Sequence, residues 1–392
     1  MALTELDRIR LRQALELARA AFGRTEPNPR VGCILGREDG VVIGTGSTQA
    51  AGAAHAEVSA LQSARASDQR IEGATAWVTL EPCAHHGRTP PCCDALIQAR
   101  IVRCVVALKD PFPSVAGSGI ARMRAAGIEV EVVEEPGLLA QAREVNIGFL
   151  SRIERGRPWV RVKSAASADG RMALPNGASK WITGEAARAD GHSWRRRASA
   201  VMTGIGTVLA DDPRLDVRAV ATSRQPMRVI LDTRLRVPLH AALFVPEGEV
   251  IVVSAPGQTQ RALALRAQGA HVWDDWDDDA MPGLELILRR LAARGVNELH
   301  VESGPTLAGN LWRAGFVDEW LIYMAPMLLG PGLPMVQAKA IDSLAEAQRF
   351  SWHSSEAIGD DLRLRLVSPG YGFGRWTSSD LSTVFTVAPS HK

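Results

Sequence analysis

The spacing of apolar and polar positions divides this chain into two runs of alternating elements. From Leu6 to Phe22 apolar residues return at helical spacing, with Leu11, Leu15, Ala18 and Phe22 on one side, which predicts an amphipathic opening helix. Pro27-Asn28-Pro29 ends that pattern, because a proline pushes the residue before it into an extended conformation. Short apolar runs at Val31 to Leu35 and Val41 to Gly44, joined through Glu38-Asp39-Gly40, predict a hairpin. Helices are then expected at His55 to Ala64, Cys92 to Ala99 and Gly119 to Ala126, and strands at Ala76 to Leu80, Val102 to Leu108 and Ile128 to Val133. Alternation of this kind after a hairpin predicts a mixed, largely parallel sheet covered by helices.

The pattern lapses after Asn146. Residues 152–158 are charged, carry Gly and Pro and lack an apolar face, so they read as a linker between a first domain at 1–151 and a second at 159–370. In the second, strands are expected at Trp159 to Ala165, Ala200 to Gly204, Arg228 to Asp232, Val250 to Ser254 and Glu298 to Glu302, and helices at Glu185 to Arg197, Gln260 to Gln268, Leu284 to Arg294 and Thr306 to Ala314. Glu319 to Met324 reads as the start of an antiparallel finish. The Ser- and Thr-rich residues 371–392 read as a tail without packed structure.

Composition adds limits. A chain of 392 residues suits two domains, and 46% hydrophobic with 22% charged residues describes a globular protein. A net charge of +2 gives no case for a nucleic-acid partner, and Arg195-Arg196-Arg197 reads as a solvated helix face. No apolar run is long enough for a membrane span and no signal-peptide core opens the chain, so a cytoplasmic protein is expected. Of five cysteines, Cys83, Cys92 and Cys93 crowd one loop rather than spreading as a disulfide framework, while Cys33 and Cys104 sit in apolar runs and read as core.

That crowded loop carries the chemistry. His55-Ala56-Glu57 followed by Pro82-Cys83 and Cys92 supplies one nitrogen and two sulfur ligands for zinc, leaving a fourth position open, and Glu57 is a carboxylate suited to proton transfer. H-x-E followed by P-C-x-x-C is the signature of zinc deaminases. A lone His is usually structural and two Cys can serve a structural zinc, but such a site takes four protein ligands; here His85 and His86 compete for the fourth place, and placing them against a substrate is favoured. Residues 84–91 separate Cys83 from Cys92, where the usual signature has two residues.

With that longer spacing, Thr79-Leu80-Glu81-Pro82-Cys83 through Gly87-Arg88-Thr89-Pro90-Pro91-Cys92-Cys93 closely resembles the pyrimidine deaminase family of riboflavin biosynthesis, commonly fused to a reductase. The resemblance implies a cytidine-deaminase-like three-layer α/β domain with a mixed sheet. It implies zinc on His55, Cys83 and Cys92, proton transfer by Glu57 as water replaces an amino group, and pyrimidine contacts from Asn28 and His86. Relatives often carry His at Thr48 and Asn at Phe112, which bears on substrate contacts and not on the metal set.

The second half extends the resemblance. Lys163-Ser164-Ala165-Ala166-Ser167-Ala168-Asp169-Gly170-Arg171, Ser179-Lys180-Trp181-Ile182-Thr183, Gly204 through Pro213, and Val301 through Gly309 look like the reductase partner, an α/β domain similar to dihydrofolate reductase. By matching positions, Ala166, Trp181, Thr207, Asp211, Thr233 and Gly304, Pro305, Thr306, Leu307, Ala308, Gly309 and Asn310 would contact NADPH. Ser179, Arg195, Leu215, Arg218 and Glu302 would contact substrate, with Arg195 and Arg218 as planar cationic forks for a sugar phosphate. The implied function is zinc-dependent deamination of 2,5-diamino-6-(5-phosphoribosylamino)pyrimidin-4(3H)-one, then NADPH-dependent reduction of its ribosyl group to ribityl. The rival readings are another zinc-dependent nucleobase or nucleoside deaminase fused to an unrelated domain, and a zinc-stabilised binding module without catalysis. The expected partner is a small-molecule pyrimidine ribosyl phosphate, with neither nucleic acid nor membrane, and self-assembly into a homo-oligomer is left open.

Overall fold

The computed structural model describes residues 3–85, 90–112, 116–277, 280–338 and 340–369. Two compact units emerge: Met1–Arg157 with Gly295–Asn297, and Pro158–Arg294 with Glu298–Lys392.

The first unit runs α1 (Glu5–Ala20), β1 (Gly32–Gly36), β2 (Val42–Ser47), α2 (Ala56–Ala66), β3 (Thr75–Val78), α3 (Cys92–Gln98), β4 (Arg103–Val106), α4 (Ser118–Ala125), β5 (Glu129–Val132), α5 (Pro136–Val145) and α6 (Ile147–Arg155). Its sheet has the order β2-β1-β3-β4-β5, antiparallel from β2 to β3 and parallel from β3 to β5. A capping box at Thr4 and Asp7 starts α1 and satisfies backbone N–H groups that a helix leaves open. The Asp7 carboxylate also accepts from Trp77 Nε1 at 2.7 Å and from both terminal nitrogens of Arg103, which pins the helix to the sheet. Leu11, Ala14, Leu15 and Ala18 are fully buried, as their spacing requires.

Two glycines set the layers. A Cβ at Gly32 would sit 1.9 Å from the Ala14 carbonyl oxygen of α1, and one at Gly46 2.2 Å from the Ala56 carbonyl oxygen of α2. Gly46 faces Cys33 across the hairpin, and side chains alternate along a strand, so α1 and α2 cover opposite faces. The unit is a three-layer α/β/α sandwich. Cys33 and Cys104 lie in its core at 0% exposure, as expected.

The second unit contains β6 (Trp159–Ser167), β7 (Arg171–Ala173), α7 (Glu185–Arg197), β8 (Ala200–Gly204), α8 (Ile205–Asp211), β9 (Met227–Leu231), β10 (Val250–Val253), α9 (Thr259–Ala267), β11 (Ala270–Trp273), α10 (Leu284–Ala293), β12 (Glu298–Glu302), α11 (Pro305–Arg313), β13 (Glu319–Ala325), β14 (Leu333–Pro334), β15 (Ser351–Ile358) and β16 (Asp361–Val367). Nine strands form one sheet in the order β11-β10-β9-β8-β12-β6-β13-β16-β15. It is parallel from β11 to β13 and antiparallel at β16 and β15.

Two expectations are corrected. The stretch expected as a linker at 152–158 is helical to Arg155, because Ile147, Phe149 and Leu150 give α6 a buried face, and only Gly156–Pro158 separate α6 from β6. Arg195-Arg196-Arg197 is not a solvated face. Arg195 pairs with Glu302 and Arg197 with Glu298, their side chains 14% and 10% exposed. β13 pairs in parallel with β6 on one side but antiparallel with β16 on the other, so it does open the expected antiparallel finish. Residues 371–392 lie outside the described residues.

Candidate active sites

In the first unit α2 delivers two of the expected residues. His55 is its N-cap in extended conformation and makes no capping bond, and Glu57 lies in its first turn, 3% exposed. Gly46 lets that helix end descend onto the sheet. Cys83 follows β3 and Cys92 opens α3. His55 Nδ1 stands 3.7 Å from Cys83 Sγ and 3.3 Å from Cys92 Sγ, and the three donor atoms all lie within 4.8 Å of one another. Tetrahedral zinc with ordinary Zn–N and Zn–S lengths places such atoms about 3.5–3.8 Å apart, so the donor set fits zinc in identity and in span. The Cys92 backbone N–H donates to Cys83 Sγ at 3.3 Å, so the opening of α3 acts on the other sulfur.

Burial pushes Glu57 up to about 7, with the neighbouring Cys83 charge adding to the effect. A hydrogen bond from Cys92, then, against burial, one with His55, draws the Cys83 thiol down to about 4. The same sharing of a proton with Cys83 raises Cys92, and burial raises it further.

A cavity of about 220 Å³ opens beside these groups, lined by Asn28, Thr48, His55, Glu57, Cys83, His85, Asp110, Phe112 and Phe149 among others. Asn28 lines the same cavity as His55 and Glu57. His85 borders the cavity and stands outside the ligand group found among the described residues; His86, Arg88 and Thr89 lie outside those residues. The Thr48 hydroxyl accepts from the Val31 N–H at 3.0 Å, which fixes it as a wall of the cavity.

Three contributors escape a reading by motif. Glu81 is buried and accepts backbone N–H bonds from Asp110 (3.2 Å), Gly117 (3.0 Å), Gly119 (3.0 Å) and Ile120 (3.2 Å), tying the Cys83 loop to the start of α4. Asp110 lines the cavity past the C-terminal end of β4, where ligands of open α/β sheets bind. Phe149 belongs to the stretch that lacked an apparent apolar pattern, and no sequence signal marks it.

In the second unit the expected residues gather along the C-terminal edge of the parallel strands. Ala166 is buried near the end of β6, Thr207 and Asp211 lie in α8 after β8, Thr233 follows β9, and Glu302 ends β12. Gly304 caps α11 with Pro305 at its first turn, so the helix N-terminus lies at Gly304 to Leu307, while Ala308 to Asn310 continue along the helix. Asp211 pairs with Lys180 at 3.5 Å, and Trp181 is 68% exposed with the Arg188 guanidinium 4.4 Å from its ring. Ser179 is half-buried, and Leu215 is buried with φ 53 in the left-handed region.

Arg195 is not a free fork. Its Nε and one terminal nitrogen donate to Glu302 at 2.5 and 2.9 Å, and the other terminal nitrogen donates to the Asp216 carbonyl at 2.9 Å. Arg218 keeps 54% side-chain exposure and donates to the Asp216 carboxylate at 2.5 Å. Its backbone N–H donates to His192 Nδ1 at 3.3 Å, consistent with an imidazole that burial and the nearby Arg195 lower to about 4 and keep neutral. Burial likewise lowers Lys163, which lies 5.7 Å from the Tyr323 ring. Asp169 accepts from Ser167 Oγ and from the Leu329 and Gly330 N–H groups, a loop anchor.

Comparison with known proteins finds a separate family match in each unit. Residues 4–108 match the family described as the cytidine and deoxycytidylate deaminase zinc-binding region, and residues 158–364 match the RibD C-terminal domain. The chain is 38% identical over 382 residues to riboflavin biosynthesis protein RibD of Escherichia coli K12, covering 92% of this chain and 99% of that one. It is 40% identical to RibD of Aquifex aeolicus, covering 91% and 97%. Among solved structures, Acinetobacter baumannii RibD superposes with a TM-score of 0.83 at 40% identity over 93% of this chain and 99% of that one. A diaminohydroxyphosphoribosylaminopyrimidine deaminase/5-amino-6-(5-phosphoribosylamino)uracil reductase from Thermotoga maritima gives 0.81 at 30% identity, again over 93% and 99%.

Proposed function

The chain belongs to the RibD family, and from that membership we propose how its two units divide the work. It is a bifunctional enzyme of riboflavin biosynthesis, a zinc-dependent deaminase and an NADPH-dependent reductase acting on a small pyrimidine substrate. We assign deamination to the first unit and reduction to the second, with 2,5-diamino-6-(5-phosphoribosylamino)pyrimidin-4(3H)-one as the starting substrate. The observation that carries the first assignment is the buried Glu57, which with His55 and Cys83 lines one cavity beside the His55, Cys83 and Cys92 donor group.

His55, Cys83 and Cys92 would hold the zinc, which would supply Lewis acidity that lowers the pKa of water at the site. Glu57 receives the proton of the attacking water and returns it to the departing amine. Asn28 and His86 orient the pyrimidine, and Phe112 and Phe149 contribute apolar walls to the cavity. In the reductase, Ala166, Trp181, Thr207, Asp211, Thr233 and Gly304 to Asn310 hold NADPH, the source of the hydride. Ser179, Leu215, Arg218 and the Arg195–Glu302 pair hold the ribosyl phosphate. Neither nucleic acid nor a membrane takes part, and the five unbridged cysteines suit the reducing cytoplasm.

The test uses purified protein with the diamino substrate, with and without NADPH and a zinc chelator. Chelation is expected to stop ammonia release while NADPH oxidation continues on substrate supplied already deaminated. Ammonia release unaffected by exhaustive zinc removal would overturn the deaminase assignment.

A further inference from the structure

Along β12, Glu298, His300 and Glu302 alternate with Leu299 and Val301 and so share one face of the sheet. On that face α7 supplies partners, Arg197 donating to Glu298 at 2.7 Å and Arg195 to Glu302 at 2.5 and 2.9 Å. Arg161, across from His300 on β6, pairs with Glu298 at 2.9 Å. His300 therefore lies between two carboxylates that arginines already hold, and it is 0% exposed. Neither of its ring nitrogens has a partner within hydrogen-bond geometry, although buried polar groups nearly always find one. What Nε2 does face is Glu302 Oε1, 3.4 Å away.

Burial lowers the proton affinity of this imidazole; Glu302 opposes the effect and Arg161 and Arg195 add to it, so the ring is neutral with one N–H. With that hydrogen on Nε2 the ring presents a donor to an anion, whereas the other tautomer would turn a lone pair toward it. Lys163 on β6 also acts on Glu302 through its charge. The Tyr323 hydroxyl, on β13, is given to Asp190, and His192 on α7 accepts from the Arg218 N–H.

Resting on the reading that Glu302 contacts the ribosyl substrate, we propose that His300 is a positioning residue of the reductase, its Nε2–H holding Glu302 Oε1 in place from the central strand of the sheet. Arg195 reaches the carboxylate on a long side chain with several rotatable bonds, so that pair alone can pivot. A short, fully buried donor on the same strand as Glu302 removes the pivot, and the 3.4 Å contact closes to hydrogen-bond length once substrate engages the carboxylate. The gain is in turnover, because a carboxylate held in one orientation keeps the sugar in reactive geometry.

The experiment measures kcat and KM of the full chain on 5-amino-6-(5-phosphoribosylamino)uracil with NADPH, with thermal unfolding as the check that each variant is folded. His300→Leu keeps an apolar side chain in the space but has no donor. It is expected to lower kcat about tenfold, as suits one hydrogen bond to a charged group, with KM for NADPH near wild type. His300→Gln, whose amide N–H can stand in for Nε2–H, should recover most of that loss. A side chain that served only to pack would gain nothing from Gln over Leu, so equal kcat in the two variants overturns the proposal. If the leucine variant does not fold, His300→Asn replaces it: the shorter amide stands in for Nδ1, and a kcat as high as that of the Gln variant overturns the proposal equally. Glu302→Gln separates the two levels of the argument. Undiminished turnover in that variant would sink the substrate reading of Glu302 itself, whereas a loss there beside unaffected His300 variants removes His300 alone.

Discussion

Exchanging one carboxylate oxygen of Glu57 for an amide nitrogen preserves its shape while removing its capacity to carry a proton. Because Glu57 stands outside the donor group of His55, Cys83 and Cys92, Glu57→Gln is expected to retain zinc at wild-type stoichiometry, read by metal analysis. Ammonia release should fall by about 10²- to 10⁴-fold, the range for removing a general acid–base group. Loss of zinc from the same variant would instead make Glu57 a ligand. The residue scale is also where the sequence is most legible: the donor types and Glu57 are recognisable from their own chemistry. Arg195 is the contrary case. Its guanidinium has a recognisable affinity for phosphate, yet its partner Glu302 lies 107 positions away, and pairing with Glu302 determines what the group can do.

At the scale of elements, α2 places His55 and Glu57 because Gly46 lets its first turn approach β2. Gly46→Ala would bring a Cβ to 2.2 Å from the Ala56 carbonyl oxygen, a backbone atom that can yield only by moving the helix. The expected cost is about 1–3 kcal/mol of stability in the first unit. Zinc affinity and deamination should drop together while reduction of deaminated substrate stays near wild type; unchanged deamination kinetics would show that the close approach does not position the site. The hairpin, the helices at α1 and α2 and most of the parallel strands follow from periodicity. The exceptions have physical causes. The second half of α6 reads as a linker because its buried residues, Ile147 to Ser151, all lie before the charged Arg152, Glu154 and Arg155, and β15 reads poorly because its side chains are largely exposed or half-buried.

Across the whole molecule, buried carboxylates held by arginines make both units sensitive to acid. Although burial works upward on Asp7, hydrogen bonds from Arg103, Trp77 and Thr4 hold it far below the ordinary carboxylate range. Burial is likewise outweighed at Glu319 by Arg161 and Arg365, and at Glu302 by Arg195. A carboxylate depressed on folding contributes stability that is present above its unfolded value, roughly 4, and is lost as pH falls through that value toward the folded one. Asp110 and Asp232, raised by burial, act in the opposite sense. Thermal unfolding midpoints should therefore hold steady near neutrality and fall below about pH 5. Asp7→Asn should flatten that decline in the transition of the first unit; a decline as steep as the wild type's would remove Asp7 as a cause.

The sequence by itself determined the kinds of chemistry available. A histidine, a carboxylate and two cysteines in that order carry zinc and proton transfer wherever the chain brings them together, and alternating apolar runs commit each half to helices on a sheet. Only the tertiary structure decided how charge is distributed among those groups. Whether an arginine is spent or free, and whether a carboxyl is raised like Glu57 or lowered like Glu302, depends on burial and on partners distant in the chain. These are properties of the packed environment, and no local pattern of residues encodes them.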